Sequence, residues 1–148
     1  MTELDIRFDR LPAMRVAHVS VKSASPEGEA IGKIMAWAQS QGIQEGYRLF
    51  GYDNCQPHPK HIYTTWITVG PDVEASGDIG IKDVPGGRCA IVRVTGVEQI
   101  SPTWRQLEKW ARDNGHQMGS LPGLEEIISP PDTPEDQVQL DLYLSLAE

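Results

Sequence analysis

The sequence predicts an α+β fold in which two copies of one strand–strand–helix–strand–strand unit, related by a pseudo-twofold axis, form an antiparallel sheet. Two helices are expected on one face of that sheet, with a central groove. Residues 5–70 match residues 78–143 without a gap, and each stretch contains alternating segments and one apolar stripe at helical spacing. The matched pairs include Asp5 with Asp78, Pro12 with Pro85, Arg15 with Arg88, Trp37 with Trp110 and Gly42 with Gly115, each 73 positions apart.

The first copy shows its elements through strand alternation and helix-end signals. Ser25 and Pro26 have the pattern of a helix N-cap followed by the first helical residue. Apolar residues then recur every three or four positions until Gly42, which is expected in the left-handed conformation that ends a helix. The strands of this copy are predicted at residues 5–8, 15–21, 47–52 and 62–69.

The second copy repeats the plan. Ser101 and Pro102 mark the helix start, and Gly115 marks its end. The strands are predicted at residues 79–82, 88–94, 124–128 and 137–146. The chain is therefore expected to form a single domain over residues 1–148, made of repeats at about residues 4–70 and 77–146.

Charge and hydropathy exclude several classes of protein. The net charge of −8, without a local cluster of Lys and Arg, repels nucleic acid, so no direct nucleic-acid binding is expected. No run of about 18 apolar residues is present, so no membrane span is expected. The first residues lack the basic and apolar parts of a signal peptide, so a cytoplasmic location is expected.

The sequence carries no recognisable cofactor or metal motif. It contains no phosphate-binding loop, no dinucleotide-binding glycine pattern and no nucleophile elbow. Neither the cysteines, Cys55 and Cys89, nor the four histidines have the spacing of metal ligands. We therefore expect no cofactor and no metal.

The most informative polar pair is Glu125 and Glu126, which lie in an apolar strand ahead of a turn. Neighbouring residues of a strand face opposite sides of the sheet, so at least one carboxylate is expected to be partly buried. A buried carboxylate is costly unless it meets a cation or holds a proton. An exposed position on an edge strand is the alternative for either residue.

Aromatic residues on or beside the strands supply the second part of the predicted site. Tyr52 is the repeat mate of Glu125, so the two side chains are expected at matching places. Ring faces attract cations, so these residues are expected to wall a pocket, with core packing as the alternative for Trp66 and Trp104. The predicted ligand contacts are Glu125, Tyr52, Tyr63, Trp66, Trp104, Tyr143 and His18.

The chain resembles the GyrI-like, AraC-type effector-binding domain family, which also serves as the drug-sensing module of some MerR-class regulators. The resemblance is carried by residues 51–54, 84–92, 103–110, 122–125 and 130–146. It implies tandem units around a groove that binds small, lipophilic and often cationic molecules, with Glu125 as the buried anion. The chain departs from the family at residues 61–66, which lack an acidic residue, and at Ile127, where an aromatic residue is common.

Three functions follow from these observations. The leading hypothesis is a stand-alone domain that binds or senses a small, lipophilic organic molecule, with an aromatic cation favoured. A small-molecule hydrolase is the second, with Glu125 activating water and Tyr52 or Tyr63 assisting. The third is a protein-interaction module that resembles inhibitors of DNA gyrase, which would give the chain a protein partner.

Overall fold

The computed structural model describes residues 4–23, 25–54, 61–130 and 132–148, so Cys55 and His58 lie outside the described residues. The α+β class and the predicted strands and helices are confirmed. The strands, in chain order, are β1 (Arg7–Leu11), β2 (Met14–Lys22), β3 (Leu49–Asp53), β4 (Ile62–Thr68), β5 (Gly80–Val84), β6 (Gly87–Thr95), β7 (Leu124–Ile127) and β8 (Gln139–Ser145). The helices are α1 (Pro26–Ser40) and α2 (Ile100–Asp113).

The chain divides into two compact units. We call Ala13–Pro85 the continuous unit, and Met1–Pro12 together with Gly86–Glu148 the split unit. Each contains four antiparallel strands and one helix. The strand order is β3-β4-β2-β5 in the continuous unit and β1-β6-β8-β7 in the split unit.

In each unit the helix covers one face of the strands. In the continuous unit the Thr65 hydroxyl donates a hydrogen bond to the Ala30 carbonyl of α1 at 3.3 Å. In the split unit Leu107 and Ala111 of α2 are fully buried. They pack against the apolar side chains Ala90, Val92, Val94, Leu140, Leu142 and Leu144.

Both helices end where the sequence predicts, whereas α2 begins at Ile100 and not at Ser101. Gly42 and Gly115 have φ angles of +76° and +72°, which glycine adopts without steric cost. The amides that follow them donate to carbonyls five residues back, Ile43 to Ala38 and His116 to Ala111, each at 2.9 Å. Ser25 occupies the N-cap position of α1, but its side chain makes no capping hydrogen bond.

The first strand of each sequence repeat pairs with the other repeat. Strand β1 opens the first repeat but pairs with β6, while β5 opens the second repeat and pairs with β2. The offset between matched positions also changes along the chain. It is 73 where His18 matches Ile91, 74 where Tyr52 matches Glu126, and 77 where Trp66 matches Tyr143, as the strand registers show.

Candidate functional site

The sheet surface opposite the helix of each unit carries aligned polar and aromatic side chains from neighbouring strands. We call this surface the helix-free face of the unit. Residues directly opposite in an antiparallel pair lie on the same face, so the strand registers assign each side chain to a face. On the continuous unit His18, Trp66 and Phe50 are aligned across three strands. On the split unit Ile91, Tyr143 and Leu124 are aligned in the matching way.

The registers and contacts distribute the seven predicted ligand contacts over four surfaces. His18, Tyr52 and Trp66 lie on the helix-free face of the continuous unit, and Tyr63 lies on its helix side. In the split unit Tyr143 lies on the helix-free face, whereas Glu125 lies on the helix side and contacts Trp104 of α2. The neighbour of Glu125, Glu126, is the carboxylate on the helix-free face.

Glu126 is the buried carboxylate of the pair. It is 8% exposed, and the Tyr143 hydroxyl donates a hydrogen bond to its Oε1 at 2.6 Å. Tyr143 is itself buried, so the phenol fixes the orientation of the carboxylate. An ionised carboxylate accepts hydrogen bonds and attracts cations, and its field is stronger away from water.

Asp141 lies directly opposite Glu126 and is held by arginines. Arg93 donates to it from Nε at 2.5 Å and from Nη2 at 3.1 Å, and Arg7 donates from Nη2 at 3.1 Å. Burial raises the pKa of Asp141, but the hydrogen bonds and charges of both arginines outweigh burial and lower it below its ordinary value. Asp141 is therefore an ionised carboxylate whose charge is balanced within the unit.

Glu125 has a different environment. The indole Nε1 of Trp104 donates a hydrogen bond to Glu125 Oε2 at 2.9 Å. The Trp104 ring approaches Gly123 so closely that a Cβ there would lie 3.0 Å from the ring. These contacts connect β7 to α2 on the helix side of the split unit.

Trp66 is the centre of the aromatic group on the continuous unit. Tyr52 meets it edge-on, with ring centroids 5.3 Å apart and planes at 76°. The Lys82 ammonium lies 4.7 Å from the Trp66 ring centroid, within the range of a cation–π contact. The buried Nε1–H of Trp66 has no acceptor within the described part of the chain, which costs about 1–3 kcal/mol.

His18 and Tyr63 sit over glycines in the continuous unit. A Cβ on Gly80 would lie 2.6 Å from His18 Nε2, so the ring occupies the space above that glycine. Burial and the charge of Lys82 lower the pKa of His18, so the ring is neutral at neutral pH. Tyr63 is 4% exposed, and its ring fills the place that a side chain at Gly51 would take.

None of the seven predicted residues lines either of two open cavities formed by described residues. A cavity of about 530 Å³ in the continuous unit is lined by residues 42–47 and 68–70. A cavity of about 280 Å³ in the split unit is lined by residues 95–99, Glu135 and Asp136. Among the described residues no group of His, Cys, Asp and Glu is arranged to hold a metal ion. No helix in the described ranges is long and apolar enough to cross a membrane.

Sequence reasoning missed Glu126 and Lys82 as candidate site residues. No sequence signal separates Glu126 from Glu125, because apolar Leu124 is in phase with Glu126 and apolar Ile127 is in phase with Glu125. Lys82 lies on the same face of β5 as Gly80. The side chains that surround it are determined by the pairing of β5 with β2, which the sequence does not show.

Several solved structures have a similar fold. The chain is similar to the C-terminal domain of EcmrR, at 14% identity over 99% of both chains and a TM-score of 0.80. It is also similar to a protein described as a hydrolase from Listeria innocua, at 13% identity over 99% of this chain and 94% of that one, with a TM-score of 0.73. SAV2435 bound to tetraphenylphosphonium is similar at 8% identity, 97% and 94% coverage and a TM-score of 0.56.

These likenesses show the fold, and the family follows from the sequence itself. No curated protein matches the chain. The family model of the GyrI-like small molecule binding domain matches residues 4–147, which span both units. The chain therefore belongs to the GyrI-like small-molecule binding domain family.

Proposed function

We propose that the chain binds a lipophilic cation, with Glu126 on the helix-free face of the split unit as the opposing charge. The observation that carries this proposal is a carboxylate at 8% exposure whose orientation is held by the Tyr143 phenol. Removing such a group from water is costly, and a cation of low hydration recovers part of that cost. The phosphonium bound to SAV2435 is a cation of this kind.

Asp141 and Glu125, the two carboxylates next to Glu126, have partners of a different kind. Asp141 forms ion pairs with Arg93 and Arg7, whereas Glu126 accepts a hydrogen bond from the Tyr143 phenol. Glu125 is engaged by Trp104 on the helix side. Glu125, Trp104 and Tyr63 remain proposed contacts from the sequence, while the geometry supports Glu126 and Tyr143 best.

On the continuous unit, Tyr52, Trp66 and His18 are proposed as ligand contacts on its helix-free face. Tyr52 and Trp66 form an aromatic corner, with the ring of one at the edge of the other. Such corners bind flat or branched apolar molecules through dispersion and their ring quadrupoles. His18 is neutral and adds little charge to this surface.

We further propose that binding serves a sensing role in the cytoplasm, within a single domain that spans both units. EcmrR, whose C-terminal domain is similar to this chain, has also been solved in a complex with DNA. By itself the chain has a net charge of −8, which opposes direct contact with DNA. A sensing role would therefore act through a protein partner.

The test compares two molecules of one shape and opposite charge, tetraphenylphosphonium and tetraphenylborate. Isothermal titration calorimetry of the wild type should give tighter binding of the phosphonium. Glu126→Gln should weaken phosphonium binding about tenfold, which is about 1.4 kcal/mol, and leave borate binding unchanged or stronger. Glu125→Gln is the matched control, because it makes the same change on the other face of β7.

Equal phosphonium affinity in the wild type and in Glu126→Gln would reject Glu126 as the opposing charge. A tenfold loss confined to Glu125→Gln would return that role to the residue predicted from the family resemblance. Equal affinity of the wild type for phosphonium and borate would reject a preference for cations.

Hydrolysis is the second candidate function, favoured by the contact between the Glu126 carboxylate and the Tyr143 phenol. A buried carboxylate hydrogen-bonded to a phenol can orient water and protonate a leaving group. Incubation with a panel of reactive esters and epoxides distinguishes the two functions. Turnover that is lost in both Glu126→Gln and Tyr143→Phe would favour the hydrolase, whereas binding without turnover favours the sensor.

A further inference from the structure

Two groups on the helix-free face of the continuous unit carry positive potential without a matching carboxylate. Trp66 is 2% exposed, and its Nε1–H has no hydrogen-bond acceptor among the described residues. Lys82 is half-buried, and within the described ranges its ammonium forms a cation–π contact with Trp66 and no ion pair. Both groups are hydrogen-bond donors, and the Lys82 ammonium lies next to the Trp66 ring.

The other paired residues of this face include no carboxylate that could accept from the Trp66 Nε1–H or pair with Lys82. The strand registers assign fourteen paired residues of β2, β3, β4 and β5 to it, and none of them is Asp or Glu. His18 lies directly opposite Trp66, and its lowered pKa keeps it neutral. The described residues therefore make a surface that is aromatic and positively charged.

The matching face of the split unit has carboxylates at some of the equivalent positions. The position that corresponds to Tyr52 is Glu126, and the position that corresponds to Lys82 is Asp9 of β1. The two units thus differ in charge at these two positions, while Arg7 and Arg93 on the face of the split unit pair with Asp141. The face of the continuous unit is suited to a negatively charged ligand group.

We propose that the helix-free face of the continuous unit is a subsite for a carboxylate carried on an aromatic molecule. Lys82 supplies the positive charge, the Trp66 Nε1–H donates a hydrogen bond, and Tyr52 supplies a ring for the aromatic body. A charged hydrogen bond to a buried donor is stronger than one made in water. This proposal rests on the proposed binding function and narrows its ligand class to aromatic molecules that bear a carboxylate.

The test uses rhodamine B and its ethyl ester, which share one cationic ring system and differ in a free carboxylate. Isothermal titration calorimetry of the full chain should show rhodamine B binding about tenfold more tightly than the ester. Lys82→Met should reduce this ratio to about threefold or less, since the side-chain length is kept and the charge is lost. Lys82→Arg should keep the preference, and Trp66→Phe should reduce it by removing the indole donor.

Lys109→Met is the control, because it makes the same charge change at an exposed side chain of α2. It should leave the ratio as in the wild type. Equal binding of the two dyes by the wild type, or a ratio unchanged in Lys82→Met, overturns the carboxylate subsite. In that case the proposed function stands if binding of both dyes still weakens in Glu126→Gln.

Failure of both dyes to bind, with phosphonium binding retained, also overturns the subsite alone. Failure of both dyes and of tetraphenylphosphonium overturns the proposed function, and the subsite with it. The two proposals therefore fail by different results.

Discussion

The two units keep one backbone plan and differ on their helix-free faces. The Ser20 and Thr64 hydroxyls of the continuous unit share a hydrogen bond of 2.7 Å, where the split unit has the ion pair of Arg93 and Asp141. Likewise the edge-on contact of Tyr52 with Trp66 takes the place of the hydrogen bond between Glu126 and Tyr143. The two units share their arrangement of strands and helix, and they differ in the side chains of their helix-free faces.

The largest expected effect tests the shared frame. Ile34 of α1 and Leu107 of α2 occupy matching positions, and both are fully buried. Ile34→Ala and Leu107→Ala should each lower the free energy of unfolding by about 2–5 kcal/mol through lost burial and a residual cavity. Urea unfolding measures both values. A cost below about 1 kcal/mol for one variant alone would mean that the two helices do not play equivalent roles.

The next effect tests the polar difference between the units. Asp141→Asn should cost about 2–3 kcal/mol, because it removes the charge that pairs with Arg93 and Arg7. Thr64→Val, at the matching position, should cost about 1 kcal/mol through the loss of one neutral hydrogen bond. Urea unfolding at neutral pH should rank Asp141→Asn as the more damaging change. The reverse order would contradict the assignment of a stabilising charge network to the split unit.

The pH dependence sharpens the same comparison. The pKa of Asp141 in the folded chain is below its ordinary value of 3.8, so its ionised form stabilises the fold at pH values above that value. This contribution is lost as the pH falls below 3.8 through the lowered pKa. The stability advantage of the wild type over Asp141→Asn should therefore be full at neutral pH and shrink in acid. An advantage that grows in acid would contradict the lowered pKa.

The smallest expected effect concerns the helix ends. Gly42→Ala and Gly115→Ala both place a Cβ on a residue with positive φ, and neither Cβ would meet a neighbouring atom. Each should therefore cost about 1 kcal/mol from backbone strain alone. Thermal unfolding should give nearly equal changes for the two variants. Clearly unequal changes would show that one helix end is held by something other than this shared conformation.

The sequence predicted the elements well because their signals are local. Alternation, the proline after Ser25 and the glycines at positions 42 and 115 act within a few residues of the structure they determine. Strand ends were displaced by one to three residues, as at β1, which was predicted at residues 5–8 and found at Arg7–Leu11. Strand ends depend on pairing partners, and those partners are distant in the chain.

The choice between Glu125 and Glu126 depended on a single residue of offset. The constant repeat offset matches Tyr52 with Glu125, but one additional residue before β7 makes Glu126 the structural counterpart of Tyr52. A shift of one residue moves every side chain of a strand to the other face. Loop length carries no pattern of its own, so the sequence comparison alone did not reveal the shift.

Lys82 was missed for a different reason. Strand β5 opens the second repeat in sequence but pairs with β2 of the first. The contact of Lys82 with Trp66 is a consequence of that exchange, and neither local alternation nor composition predicts it. Charge differences between the units became visible only once the pairing was known.

The central claim is that the helix-free face of the split unit binds a cation through Glu126. A crystal structure with tetraphenylarsonium tests it most directly, because the anomalous signal of arsenic locates the bound cation. We predict an arsenic peak within about 6 Å of the Glu126 carboxylate. A peak beside Glu125 on the helix side, or in the cavity lined by residues 42–47, with none beside Glu126, would contradict the account.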